Sequence, residues 1–201
     1  MDRNEALQNF LDAAFAAYDR FAVDTRSRAS LARMASLLAA PGARRTEPGR
    51  RLPVCASHLD AALGIETGEP LLRALVENFR AIEPSLEWIA RSAHDGSASE
   101  NFPTSHANAM IVGPKGLEDR ADLWLGVTLM APHVRYPDHT HPPEETYLVL
   151  SDSEFRQADN DWFSPGVGGS FYNPPGIRHA MRSGETPLFA LWALLADHPR
   201  H

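Results

Sequence analysis

Apolar residues in the first half of the chain recur every three or four positions, which is the pattern of a helix with one buried face. This periodicity predicts four helices, at residues 2–23, 27–40, 54–63 and 70–91. Pro84 lies inside the last of them and is expected to kink or split it, because proline removes a backbone donor. The run at 43–51 holds four arginines with a proline and a glycine and has no periodicity. It is more typical of a solvated linker than of a phosphate-binding segment.

Beyond residue 105 the pattern changes to short apolar or alternating runs separated by proline, glycine and aspartate, as in strands. Five strands are predicted, at residues 107–112, 123–131, 146–150, 169–173 and 188–195. Several short strands in about a hundred residues favour a sandwich or small barrel, and helices followed by strands favour the α+β class. We therefore expect a helical region over residues 1–104, packing on or covering an antiparallel β-barrel over residues 105–201.

Composition narrows the class of protein. The 201 residues carry a net charge of −7, which argues against a nucleic-acid or anionic-membrane partner. A single cysteine, Cys55, excludes an internal disulfide and fits a buried thiol in a reducing compartment. The first residues lead into an amphipathic helix rather than an apolar signal run, and no stretch reaches the length of a membrane span. A cytoplasmic protein is expected.

Four polar side chains share odd-numbered positions around a proline bend at residues 142–143: His139, His141, Glu145 and Tyr147. On a strand they would point to the same side, provided that the alternation survives the bend. A half-buried strand turns two imidazoles and a carboxylate inward only where something satisfies them. A lone inward histidine is more often a hydrogen-bonded core residue, but this combination favours a metal site.

A second motif lies downstream, with a glycine turn followed by a histidine: Gly168-x5-Pro174-x-Gly176-x2-His179. Paired with the upstream run His139-x-His141-x3-Glu145, it resembles the two motifs of the cupin superfamily, whose members are small jelly-roll β-barrels. The resemblance implies that these three residues and His179 are metal ligands and that the metal lies inside the barrel.

Two positions that are glycine in most cupins carry other residues here, His133 before the first histidine and Asp152 after the glutamate. Three further histidines have no partner at metal-ligand spacing: His106, His133 and His198. We expect them at the surface or beside the site rather than on the metal.

The helical first half and the positions of Tyr136 and Tyr147 narrow the resemblance. Over essentially its whole length the chain is similar to the cupin-type dimethylsulfoniopropionate lyases of marine bacteria, and most to their Q type. The resemblance implies a zwitterionic substrate, with a carboxylate and a dimethylsulfonium group, that is cleaved to acrylate and dimethyl sulfide. It also implies that Tyr147 takes the proton and that the metal lies among His141, Glu145 and His179, with His139 either a fourth ligand or a neighbour of the substrate.

These residues suit a β-elimination. A divalent metal withdraws charge from the substrate's carboxylate, and a nearby cation lowers the pKa of a phenol from its usual value of about 10. Tyr147 is then a sensible base, and Tyr136 a second base or a hydrogen-bond partner of the substrate. A sulfonium is well held by aromatic faces, for which the candidates are Trp162, Trp192, Phe171 and Tyr172.

The same ligands serve other chemistry, so alternatives stay open. One is an iron-dependent dioxygenase acting on a small acid or thiol, and another is a non-enzymatic effector-binding cupin. One divalent transition metal is expected, with Zn, Fe, Mn, Co and Ni not distinguished. A monomer and a homodimer are both open, as is a role of the N-terminal helices as a lid.

Overall fold

The chain folds into four helices packed against two β-sheets, in a computed structural model that describes residues 3–65, 67–92 and 95–196. The helices are α1 (Glu5–Phe21), α2 (Thr25–Leu38), α3 (Pro53–Ala62) and α4 (Pro70–Ile82). The strands are β1 (Ala43–Arg44), β2 (Trp88–Ile89), β3 (His106–Val112), β4 (Glu118–Asp119), β5 (Leu123–Met130), β6 (Glu144–Val149), β7 (Ser153–Gln157), β8 (Ser170–Asn173), β9 (His179–Ser183) and β10 (Leu188–Leu195). The predicted α+β class is confirmed.

The helix starts follow local chemistry. The side chain of Asn4 accepts a hydrogen bond from the backbone of Leu7 at the start of α1, and Asp24 does the same for Arg26 at the start of α2. Both are side chains that satisfy free amide groups at a helix N-terminus. Helices α3 and α4 begin with proline, which needs no amide partner in the first turn.

The last helix is shorter than predicted. It ends at Ile82, a 3-10 turn follows at Glu83–Ser85, and the chain then enters strand β2. Pro84 cannot donate a helical hydrogen bond, so the break falls where proline predicts it. Trp88 of β2 is fully buried and donates its indole N–H to Glu83. The predicted continuation of the helix to residue 91 is therefore wrong.

The arginine-rich segment is more structured than a linker. Its first residues form β1, which pairs with β4 at the edge of the large sheet. Arg45 and Arg50 both form ion pairs with Glu87, and Arg51 pairs with the buried carboxylate of Glu83. These contacts tie the segment to the turn after α4 instead of leaving it in solvent.

Most strands join one large sheet in the order β1-β4-β3-β5-β10-β6-β8, with β2 also pairing with β3. Strand β10 lies between β5 and β6 and is antiparallel to both. The second sheet consists of β7 and β9. The segment at residues 135–139 joins it through two single bridges, from Arg135 to Arg182 and from His139 to His179. The two sheets face each other. This is seen in the contact between Tyr147 of β6 and Phe155 of β7, whose ring centroids are 5.3 Å apart.

The helices cover the outer face of the large sheet. The hydroxyl of Tyr18 in α1 donates to the carbonyl of Thr146, and the Thr146 hydroxyl donates to Ser27 of α2. Thr146 alternates with Glu145 and Tyr147, so the helices lie on the face opposite to these two side chains. Strands β1 and β2 come from the first 104 residues, and the division at residue 104 stays a prediction. Among the helices of the described ranges, none is long and apolar enough to cross a membrane.

Candidate active site

The segment from His139 to Tyr147 crosses from one sheet to the other. His139 exchanges two backbone hydrogen bonds with His179 of β9, at 3.0 and 2.9 Å, whereas Glu145 lies on β6 of the large sheet. Strand β6 begins only after the two prolines. The condition that the strand alternation continues through the proline bend is therefore not met, and the side chains meet because the two sheets face each other.

Three histidines converge between the sheets. The ligand-type atoms of His139, His141 and His179 all lie within 4.8 Å of one another. One carboxylate oxygen of Glu145 lies 3.3 Å from Nε2 of His141 and 3.2 Å from Nε2 of His179. The structure thus brings together all four residues that the sequence nominated as metal ligands.

Each of the three imidazoles is held by its other nitrogen. The Nδ1 atom faces a backbone carbonyl in every case: that of Pro137 for His139 (3.0 Å), of Pro143 for His141 (2.9 Å) and of Ile177 for His179 (3.0 Å). A proton on Nδ1 makes that bond and leaves the Nε2 lone pair free, which is how metal-binding histidines are commonly oriented.

The three imidazoles and Glu145 place more hydrogen-bond acceptors than donors at the centre of the cluster. With the protons on Nδ1, the Nε2 lone pairs and the Glu145 carboxylate all seek a positive partner. Nε2 of His179 is buried and, among the described residues, makes no aligned hydrogen bond despite its closeness to Glu145. A metal cation satisfies such a set, so the three-histidine cluster is compatible with a single metal ion.

The pKa shifts of His139 and Glu145 favour the forms that bind metal ions. Burial and, to a smaller extent, the neighbouring His179 lower the pKa of His139 to about 3. Burial alone would raise the pKa of Glu145, but the adjacent imidazoles of His141 and His179 outweigh it and lower that pKa. For His141, the bonds to Glu145 outweigh burial and raise the pKa. A neutral His139 and an ionised Glu145 are the forms that bind metal ions.

A hydrogen-bonded series fixes the carboxylate of Glu145. Asn173 lies directly opposite it on β8, is fully buried, and donates its side-chain amide to the carboxylate at 2.9 Å. Gln157 of β7 in turn donates to the Asn173 side chain and to the carbonyl of Tyr172, both at 2.7 Å. Neither residue was nominated from the sequence, although Asn173 stands next to the proline of the second motif.

Tyr147 lies at the edge of the histidine cluster. It is 2% exposed, stacks on Phe171 with 5.1 Å between ring centroids, and meets the His179 ring edge-on at 6.4 Å. Burial and the charge of Glu145 raise its pKa well above the usual value. The phenol predicted as the base is thus beside the candidate ligands, in an apolar wall.

Tyr136 approaches the cluster from the other side, with its ring 5.0 Å from that of His139. Its hydroxyl accepts a hydrogen bond from Asn108 at 3.3 Å. Asn108 accepts one from Thr128 at 2.6 Å, which accepts one from the indole of Trp192 at 3.1 Å. This polar series spans β3, β5 and β10, and only Tyr136 and Trp192 in it were nominated from the sequence.

Two of the four aromatic residues proposed to hold a sulfonium are engaged elsewhere. The ring of Trp162 carries three guanidinium groups, at 4.4 to 5.6 Å from its centroid: those of Arg135, Arg156 and Arg182. Tyr172 donates its hydroxyl to Glu144, and the guanidinium of Arg26 covers its ring at 4.6 Å. Phe171 stacks on Tyr147, and Trp192 pairs with Tyr147 across strands β10 and β6.

The unmatched histidines fall in different places. His106 is buried, and its ring lies 5.5 Å from that of Tyr136. His133 is exposed beside Glu185 and adopts a φ of 58°. That left-handed conformation is the one glycine takes most easily, so the turn keeps the backbone of the cupin motif without its glycine. His198 lies outside the described residues.

Comparison with known proteins gives a family match over most of the chain. The sequence profile of the dimethylsulfoniopropionate lyases matches residues 26–190. The dimethylsulfoniopropionate lyase DddQ of Ruegeria pomeroyi is 29% identical over 120 residues, which are 59% of this chain and 59% of that protein. The putative lyase DddL of Cereibacter sphaeroides is 32% identical over 97 residues, 47% of this chain and 40% of that protein. The matched segments thus span roughly half of these relatives.

Two solved structures share the fold. The crystal structure of DddQ from Ruegeria pomeroyi aligns with a TM-score of 0.74 at 24% identity, over 99% of this chain and 95% of that one. A crystal structure described for the lyases RdDddP and RnDddQII aligns with a TM-score of 0.70 at 21% identity, over 94% of this chain and 92% of that one. At these identities the likeness establishes the fold, and the expected cupin-type architecture is confirmed.

Proposed function

This chain belongs to the dimethylsulfoniopropionate lyase family, and we propose that it cleaves dimethylsulfoniopropionate by β-elimination to acrylate and dimethyl sulfide. The observation that carries the proposal is the meeting of a carboxylate and three imidazoles, all oriented as acceptors, with the phenol of Tyr147 at their edge. A site for a metal ion beside a residue that can exchange a proton is what this elimination requires.

We propose that His141, Glu145 and His179 hold one divalent transition metal ion and that His139 is the fourth ligand. When bound, such an ion withdraws negative charge from the substrate's carboxylate and makes the adjacent C–H bond more acidic. Imidazole and carboxylate ligands suit Zn, Fe, Mn, Co and Ni alike. The carbonyl contacts at Nδ1 support the proposal, because they hold each ring with Nε2 toward the centre.

Tyr147, as the phenolate that a nearby divalent cation would favour over the buried phenol, accepts the proton from the carbon next to the carboxylate. The electron pair of that C–H bond forms the carbon–carbon double bond, while the C–S bond breaks and its electrons leave with neutral dimethyl sulfide. Tyr147 stands two residues beyond Glu145 on the same face of β6, which supports this assignment. Tyr136 is the second catalytic residue and contacts the substrate from the side of His139.

The sulfonium end is proposed to lie against Phe171 and Trp192. A diffuse cation is attracted to aromatic faces without an ion pair, and both rings are only partly buried within the barrel interior. The walls of the barrel also keep bulk water from the reacting carbon, since Tyr147 and Glu145 are almost fully buried.

The test is release of dimethyl sulfide into the headspace by purified protein supplied with each of the five metals. We expect Tyr147→Phe to abolish release while metal content stays near one ion per chain, because the ring remains but its proton acceptor is lost. Tyr172→Phe is the matched control, since that hydroxyl contacts Glu144. Retention of most activity by Tyr147→Phe would exclude it as the base, and full metal in His179→Ala would exclude the ligand set.

A cytoplasmic location, a small zwitterion as the partner and the absence of nucleic-acid binding stay predictions, as does the choice between monomer and homodimer. Size-exclusion chromatography with light scattering would test the oligomeric state, and cell fractionation would test the location.

A further inference from the structure

We propose that Arg91, together with the hydroxyl of Tyr136, forms the subsite that binds the carboxylate of the substrate and so sets which way round the zwitterion lies. The inference deepens the proposed function and rests on it for the identity of the substrate. Nothing in the sequence motifs points to Arg91, which stands two residues after the short strand β2.

Arg91 is the cation that meets Tyr136. Its guanidinium carbon lies 5.9 Å from the centre of the Tyr136 ring. Burial raises the pKa of the Tyr136 hydroxyl, and the charge of Arg91 opposes that rise. Its charge also reaches His139, whose ring is 5.0 Å from that of Tyr136. A positive charge therefore lies against Tyr136, whose ring in turn contacts His139.

The backbone beneath Arg91 is well anchored. Its amide donates to Nε2 of the buried His106 at 2.8 Å, and Nδ1 of His106 faces the carbonyl of Phe102. The rings of Phe102 and His106 stack at 3.7 Å, and both meet the Tyr136 ring edge-on. Arg91 thus extends from a packed aromatic platform, so little freedom is lost when it binds an anion.

The Tyr136 hydroxyl is arranged as a donor. A phenol oxygen accepts up to two hydrogen bonds and donates one. Here Asn108 donates to it, which leaves the hydroxyl's own proton for another acceptor. A carboxylate placed between this O–H and the guanidinium would receive two charge-assisted hydrogen bonds, which are stronger than neutral ones.

The two ends of the site differ in charge. The Arg91 end attracts an anion and repels a sulfonium. On the other side of the histidine cluster lie the rings of Tyr147, Phe155 and Phe171, which carry no positive charge. A zwitterion with its charges at opposite ends is therefore oriented carboxylate toward Arg91 and sulfonium toward the aromatic rings. That orientation leaves the carbon between them near the centre of the cluster.

The experiment measures equilibrium binding of acrylate and of uncharged acrylamide to metal-loaded protein, by ligand-observed NMR and without turnover. We expect Arg91→Met to weaken acrylate binding roughly 10- to 100-fold, the usual effect of losing a hydrogen bond to a charged group, and to leave acrylamide binding unchanged. Arg91→Lys should lose less, because it keeps the charge. Arg44→Met is the control, since Arg44 is an exposed arginine on edge strand β1.

Unchanged acrylate affinity in Arg91→Met, with the thermal unfolding midpoint and metal content of the parent protein, would overturn the subsite. So would a loss of kcat for dimethylsulfoniopropionate with no change in KM or acrylate affinity, because Arg91 would then act only through Tyr136. If the parent protein releases no dimethyl sulfide but its acrylate binding depends on Arg91, the subsite is supported and the proposed function fails separately.

Discussion

The contact between Asn173 and Glu145 gives a sharp test of the candidate metal site, because it lies one step outside the ligands. We expect Asn173→Leu, which keeps similar volume, to weaken metal binding without removing a ligand. The amide of Asn173 donates to the carboxylate oxygen that lies 3.2 and 3.3 Å from the imidazoles of His179 and His141. Without that bond the carboxylate can rotate away from the position in which it meets both rings.

The magnitude follows from the type of bond. A hydrogen bond to a charged group contributes about 1.5–3 kcal/mol, which corresponds to roughly a 10- to 150-fold increase in the metal dissociation constant. Residues that orient metal ligands commonly change affinity by about 10- to 100-fold. Gln157→Leu should cost less, roughly 2- to 10-fold, because the β8 backbone still holds Asn173 beside Glu145.

The measurement is the metal dissociation constant, obtained by competition with a chromophoric chelator at fixed pH. Asn160→Leu serves as the matched control, since Asn160 is exposed in the turn after β7. The double variant of Asn173 and Gln157 should bind metal no more weakly than Asn173→Leu alone, because the two act in series. A dissociation constant within about twofold of the parent in folded Asn173→Leu would refute the reasoning that this bond positions the ligand.

Two further predictions concern stability. Glu118 is buried between Arg3 and Arg120, and these two arginines lower its pKa although burial alone would raise it. The ionised Glu118 therefore stabilises the folded state at a pH above its unfolded pKa of about 4.3. This stabilisation is lost as the pH falls through the lower pKa of the folded state. Glu118→Gln should lower the thermal midpoint at pH 7 far more than at pH 3, and equal losses at both would contradict this. A Cβ at Gly126 would lie 2.3 Å from the indole of Trp192. Gly126→Ala should therefore lower the free energy of unfolding by about 1–3 kcal/mol and shift the tryptophan fluorescence. An unchanged spectrum and an unchanged denaturation midpoint would disprove the close packing.

The features that the sequence predicted are those with local causes. Helix α1 and strand β10 are long and strongly patterned, and their positions agree closely with prediction. The end of α4 was missed because its apolar spacing continues past Pro84 into residues that instead pair with β3. Short strands such as β4 and β9 have no pattern of their own and exist because a neighbouring strand pairs with them.

Within the candidate site, too, residues with a local sequence signal could be predicted and those that depend on long-range pairing could not. His141, Glu145 and His179 could be nominated because their spacing in two motifs is visible along the chain. Asn173 and Asn108 could not, because their roles depend on register: Asn173 meets Glu145 only through the pairing of β8 with β6. Arg91 was hidden for a further reason, since its position depends on the packing of an irregular segment against Tyr136.

The division of the ligands between two sheets has a consequence of its own. His139 and His179 are fixed to each other by two backbone hydrogen bonds of the small sheet, so their spacing is rigid. Glu145 belongs to the large sheet, and its distance from them is set by whatever separates the sheets. That separation is held beside the site by the rings of Tyr147 and Phe155, at 5.3 Å. The proposed base is therefore also a spacer between the ligands, and a change in its volume should disturb metal binding, whereas removal of its hydroxyl alone should not. This is the reason that phenylalanine, rather than alanine, separates the chemical role of Tyr147 from its structural one.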